Sequence, residues 1–211
     1  MPRLTLLATG LLLTACTGLL PPASQEPTHL YQLELRAPLT DIPSIPAEKR
    51  HGVVMVEQPQ VAAGYDTTAM AYRFTPWEIH YYAQSRWVAA PARMLREALT
   101  RALSQAGPFR SALDQPSGMA VDYRLRTKLL RLEQDFSGAP PSRERLVAHV
   151  KLVDLQRGAL LASRVLSFSV PAPSEDAHGG VVAANMAIKQ LAAEVVELSR
   201  KALATHSKKR S

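Results

Sequence analysis

Between residues 121 and 170, apolar and polar side chains alternate through three successive segments; from 181 to 202 the apolar spacing widens to three and four. That change of period constrains the fold more than any other feature. A period of two belongs to a strand with one wet face, and a period near 3.6 to a helix. In the first segment Val121, Tyr123, Leu125, Thr127 and Leu129 alternate with Asp122, Arg124, Arg126 and Lys128, and the phase then slips to Leu130 and Leu132, which predicts a bulge. The second sets Leu146, Ala148, Val150 and Leu152 on one side, and the third Leu160, Ala162, Leu166, Phe168 and Val170. A tight turn at Gln156-Arg157-Gly158 joins these two, so the three segments predict an antiparallel meander. In the last segment Val181, Ala184, Ile188, Leu191, Val195, Leu198 and Ala202 form one apolar stripe of a long helix. Glu175 and Asp176 precede that helix and Arg200 and Lys201 close it, as the macrodipole favours. The stripe packs on the sheet, or serves a partner subunit in part.

Upstream, residues 29–35 (HLYQLEL) alternate as a half-buried strand, and residues 52–59 (GVVMVEQP) form a short β-branched run stopped by proline, read as a central strand. MAYRF and IHYY flank TPWE as a hairpin with Pro76 in its turn. Residues 92–106 change to helical spacing, with Pro91 suited to the first turn and Gly107-Pro108 to the stop. The expected fold class is α+β: an antiparallel sheet packed against two amphipathic helices, in the order β-β-hairpin-α-β-β-β-α.

The chain's single cysteine excludes an internal disulfide framework and a thiolate-rich zinc site. It closes a short apolar run behind Met1-Pro2-Arg3, the arrangement of an export signal, and that run is too short to span a bilayer. Leu13-Thr14-Ala15-Cys16 resembles the bacterial lipobox. The resemblance implies cleavage before Cys16 and lipidation of its sulfur, and Thr17 in place of aspartate implies delivery to the outer membrane. Residues 1–15 are then a signal peptide and 16–28 a proline-interrupted tether. A folded domain covers 29–203 and a basic disordered tail 204–211. Much of the formal charge of +7 sits in that tail, at Lys208, Lys209 and Arg210, which argues against nucleic acid as a partner.

No phosphate-binding loop and no serine elbow are present. His29, His51, His80, His149, His178 and His206 are scattered without metal-ligand spacing, and Asp135, Asp154, Glu175 and Asp176 fall at strand ends or caps. The reading is a non-enzymatic protein with no metal and no cofactor beyond the covalent lipid on Cys16.

Seven of the twelve aromatic residues fall between 64 and 91: Tyr65, Tyr72, Phe74, Trp77, Tyr81, Tyr82 and Trp87. They either pack the hairpin on the first helix or form a contact surface, with Arg73 and Arg86 fitting both readings. Trp87 is expected in the packing and Trp77, at the turn tip, in solvent. The candidate partner-binding residues are Tyr65, Tyr72, Arg73, Trp77, Tyr81, Tyr82, Arg86 and Trp87.

The run from Val53 to Pro59, then Gly64-Tyr65-Asp66, the Tyr72-Arg73 strand, and Tyr81-Tyr82, Arg86-Trp87 and Pro91 leading into the helix together resemble the ABC-type transport auxiliary lipoprotein family. That resemblance, over roughly 29–200, implies an accessory lipoprotein of MCE-type or paraquat-inducible lipid transport systems, anchored in the outer membrane and facing the periplasm. It implies an MCE-domain protein, an ABC permease and its ATPase as partners, and leaves self-association into a homo-oligomer open. Two other readings stand beside it: a carrier holding lipid in its own cavity, and a structural or assembly lipoprotein of the envelope.

Overall fold

The computed structural model describes residues 27–35, 39 and 45–208. The signal peptide and residues 16–26 of the tether, including Cys16, lie outside the described residues. Nine strands and two helices form an α+β domain. The strands are β1 (His29–Tyr31), β2 (His51–Val56), β3 (Gln60–Val61), β4 (Ala69–Arg73), β5 (His80–Trp87), β6 (Phe109–Leu113), β7 (Tyr123–Asp135), β8 (Arg143–Asp154) and β9 (Ala159–Pro171). Helix α1 spans Pro91–Ala106 and α2 Ala177–Lys208.

Strands β7, β8 and β9 form the expected antiparallel meander. The register of β7 on β8 shifts between Leu129 and Arg131, where the alternation slips. The bulge turns the strand over: Leu125 and Leu129 face the helices before it, Leu132 and Gln134 after it. Glu133 is thereby sent to the opposite face.

The rest of the sheet departs from the antiparallel expectation. The other edge of β7 is shared end to end by three short strands, all parallel to it. Strand β2 pairs at Tyr123–Leu125, β3 at Lys128–Leu129 and β4 at Gln134–Asp135. Strand β6 adds parallel to the outside of β2, β5 antiparallel to β4, and β1 parallel to β5. A strand of thirteen residues offers an edge longer than any of these partners, which therefore occupy it in turn. Strands β3 and β6 were not expected. A two-residue strand has no period to read, and Phe109-Arg110-Ser111-Ala112-Leu113 gives barely one.

The N-terminal alternation has the right phase but only a short ladder. Leu33 and Leu35 are buried and Leu30 is exposed, yet pairing ends at Tyr31. Beyond it the helices hold the backbone. Glu34 N–H donates to Asn185 Oδ1 at 2.8 Å, Asn185 Nδ2 donates to the Gln32 carbonyl at 3.1 Å, and Leu33 N–H points at Met94 Sδ at 3.3 Å.

Helix α1 starts at Pro91 and stops at Gly107, where a Cβ would lie 2.3 Å from the Leu103 carbonyl oxygen. Helix α2 is capped by Asp176, whose carboxylate accepts from Gly179 N–H and from the Ser174 hydroxyl, both at 2.7 Å. Its stripe is spent inside the chain, not on a partner subunit: Val181, Ala184, Ile188, Leu191 and Val195 are buried, together with Ala183, Ala187, Ala192 and Val196. The band is wider than one stripe because α2 packs on β8 and β9 and on α1 at once. Gly180 lets its first turn down onto the sheet, where a Cβ would come within 2.3 Å of Gln134 Oε1. The disordered tail expected from 204 is partly helix. Buried Ala202 and Leu203 pin the last turns, and α2 continues to Lys208.

Leu146, Ala148, Val150 and Leu152 of β8 are fully buried under α2. Leu146→Ala is expected to cost about 2–5 kcal/mol by leaving a cavity, whereas Val165→Ala, on the exposed side of β9, should cost under about 1 kcal/mol. Urea unfolding of the two variants measures the difference.

Candidate functional site

The hairpin β4–β5 stands at the end of the sheet beside the last residues of β7. Trp77 projects from its turn at 95% exposure, with Phe74 and Tyr81 also exposed. Tyr72 gathers a ring cluster on one face. His80 stacks on it at 5.3 Å between centroids, Tyr82 lies at 4.6 Å, and Phe74 meets it edge-on at 5.5 Å. Phe136, from the loop after β7, closes the group at 5.3 Å from Phe74. Offset and edge-on pairs of this kind add about 0.5–1.5 kcal/mol each beyond the area they bury.

On the other face the hairpin is bolted to β7 through a buried charge. Arg73 Nε lies 2.5 Å from Glu133 Oε1, and Arg73 Nη2 donates to Glu133 Oε2 at 2.7 Å. The Tyr65 hydroxyl donates to the same carboxylate, and Arg131 stands 3.4 Å away. Arg73 also donates to the Pro76 carbonyl at 2.6 Å, so one guanidinium ties the turn to the sheet. Burial works against the charge of Arg73, but Glu133 outweighs it and raises its pKa. Burial, then the hydrogen bond to Glu133, pushes the Tyr65 phenol up to about 12. Tyr81 donates to the Gly64 carbonyl at 2.9 Å, fixing the loop that carries Tyr65, and Gly64 sits at a φ of 92° that favours glycine.

A second buried polar group lies on the helix side, where Tyr82 donates to Gln134 Oε1 at 2.8 Å and Gln134 Nε2 donates to the Ser142 hydroxyl at 2.9 Å. Opposite Gln134 on β8 is Glu144, fully enclosed, and burial followed by the nearby Glu133 charge raises its carboxyl well above the ordinary range.

The candidate partner-binding residues therefore divide. Trp77, Tyr81 and Arg86 are exposed, and Tyr72 and Tyr82 half-buried. Tyr65, Arg73 and Trp87 are buried and spend their contacts inside the chain, which removes them from a contact surface. Trp87 packs in the core and Trp77 is solvated, as their positions in the hairpin predict. Sequence reasoning missed Glu133 and Phe136, which lie about 60 residues from their partners; the available signal was an acid directly after a phase slip. Among the described residues, no group of three His, Cys, Asp or Glu could hold a metal ion, and no helix is long and apolar enough to cross a membrane.

These features define an α+β domain with an aromatic hairpin bolted to one end of a long mixed sheet. The model of the ABC-type transport auxiliary lipoprotein component matches residues 31–196, and the chain belongs to that family. The role that family describes is that of an accessory to transport, which is not a catalytic one. A crystal structure of a Xanthomonas campestris protein superposes with a TM-score of 0.70 at 21% identity, covering 86% of this chain and 99% of that one. A second crystal structure, of an uncharacterized protein, gives 0.65 at 17% identity, covering 82% and 98%. At these identities the likeness is one of fold. No curated protein matches the sequence.

Two outcomes test the polar groups. Arg73→Met leaves a carboxylate with no solvent exposure to Tyr65 and the more distant Arg131 alone, and is expected to cost about 3 kcal/mol in urea unfolding. Because the folded-state pKa of Glu144 is raised, its contribution is favourable in acid, below the ordinary carboxylate value, and is lost as pH climbs through the folded value. Glu144→Gln is therefore expected to raise the unfolding midpoint at neutral pH and leave it nearly unchanged at about pH 3.

Proposed function

We propose that the chain is a periplasmic lipoprotein, acylated on Cys16 and anchored in the outer membrane. In this reading it is the non-enzymatic auxiliary component of an MCE-type ABC transport system that moves phospholipid or another hydrophobic molecule across the envelope. The family match over residues 31–196 carries this reading. The lipobox-like Leu13-Thr14-Ala15-Cys16 supports the anchor, and the solvated Trp77 at the tip of a rigidly braced hairpin supports docking. Energy then comes from the separate ATPase, and this chain bridges permease, MCE-domain protein and membrane.

The carrier reading draws less support. Leucines, valines and alanines fill the space between sheet and helices to near-zero exposure. A cavity of about 650 Å³ between residues 30–35 and α2 is an open groove, lined by Leu30, Val88, Val181 and Met186 together with polar Glu34, Asn185 and Lys189.

Two measurements test the proposal. Mass spectrometry of the native product is expected to give a first residue at Cys16 carrying acyl chains; an intact, unmodified leader would remove the anchor. Affinity capture from detergent-solubilised envelopes is expected to recover permease and MCE subunits. Trp77→Ala should weaken that recovery by on the order of 2 kcal/mol in affinity while leaving the fold intact.

A further inference from the structure

On the open face of the sheet, Arg126 and Lys128 of β7 stand directly opposite Lys151 and His149 of β8. Cross-strand neighbours on one face lie about 5 Å apart, and like charges in that position, here Arg126 and Lys151, oppose pairing. Toward the other end of the same two strands the pairing is complementary. There Glu133 faces Arg145 and Asp135 faces Arg143, with Arg145 Nε 3.2 Å from Asp135 Oδ2. Repulsion is thus confined to one stretch of a face that elsewhere neutralises itself. Glu57 is the carboxylate that reaches this stretch, and it is divided between Arg124 at 2.8 Å and Arg126 at 3.1 Å. Among the described residues, Lys128 and Lys151 have no carboxylate within ion-pair distance.

The same place is concave. Arg126, Lys128, His149 and Lys151, with the amides of Gln58 and Gln60, line a cleft of about 400 Å³, and Glu57, held by Arg124 and Arg126, is the one carboxylate among its lining residues. Its walls are polar, which disfavours an acyl chain. A volume that would hold on the order of ten waters suits a small hydrated anion better than a stretch of polypeptide. Lys128 and Lys151 lie diagonally across adjacent strands and line the same cleft. Ammonium groups so placed can donate to the oxygens of a tetrahedral anion, and such charge-assisted bonds are the strong ones.

We propose that this cleft binds a phosphoryl group, from inorganic phosphate or from a lipid headgroup. Lys128 and Lys151 are its principal donors, with Arg126, Gln58 and Gln60 around them. The bound anion replaces the repulsion between the strands with attraction to a shared centre. The inference stands on this geometry and not on the transport reading, so it survives or fails independently of the capture experiment above.

The test uses the full, detergent-purified chain, with thermal unfolding and titration calorimetry in matched ionic strength of chloride. Inorganic phosphate is one probe and soluble dihexanoyl phosphatidylglycerol the other. A rise in midpoint with phosphate assigns the free anion, and a rise with the lipid alone assigns the headgroup. In either case Lys128→Gln with Lys151→Gln is expected to weaken binding roughly tenfold or more. The paired arginine substitutions at these positions should retain it, and Lys189→Gln with Lys201→Gln, of equal charge change on α2, should bind as the unaltered chain does. The proposal is overturned if neither probe binds beyond chloride, or if the Lys128→Gln, Lys151→Gln chain binds undiminished.

Discussion

Strand β7 is paired along both edges, and the arrangement of the rest follows from what that demands. One edge carries β8 in antiparallel pairing from Tyr123 to Asp135, interrupted by a single bulge, and the other carries β2, β3 and β4 in succession. A strand so placed has its ladder satisfied by four separate stretches of chain, each of which must arrive at a fixed height. The bulge after Leu129 makes this workable, since it rotates the last turns of the strand and lets the two ends serve different faces. Below it the core leucines meet α2; above it Glu133 reaches Arg73 and Tyr65, and Gln134 reaches Tyr82.

Much of this was legible in the residues themselves. The meander, the bulge, the hairpin around Pro76, and both helices with their starts follow from period and punctuation, which are local. Strand direction and partner are not local. The β-branched run at 52–56 reports a buried strand, as Val53 and Val54 are, but says nothing of whether the neighbour runs with or against it. The same limit explains residues 32–35, where the period is that of a strand but the hydrogen-bond partners are Asn185 and Met94 on helices. The hairpin shows the limit most sharply. Tyr65, Arg73 and Trp77 look alike in sequence as interface residues; only the distant Glu133 decides that the first two turn inward and the third is left in water.

The division has a functional side. A docking loop that must present a large aromatic ring pays an ordering cost on binding unless it is already held. The Arg73 guanidinium, bonded to the Pro76 carbonyl and to the buried carboxylate, holds the turn in the free chain, as the proposed docking role requires.

The clasp on residues 32–35 has a mechanical meaning. A pull applied upstream of Pro27 is resisted first by the short ladder of β1 on β5 and then by Asn185 and Met94, with Leu33 and Leu35 sunk between the helices. Load entering there is shared between strand β5 and the two helices. The first of that load falls on Ser85–Trp87, the end of the hairpin farthest from Trp77, and the helices take the remainder.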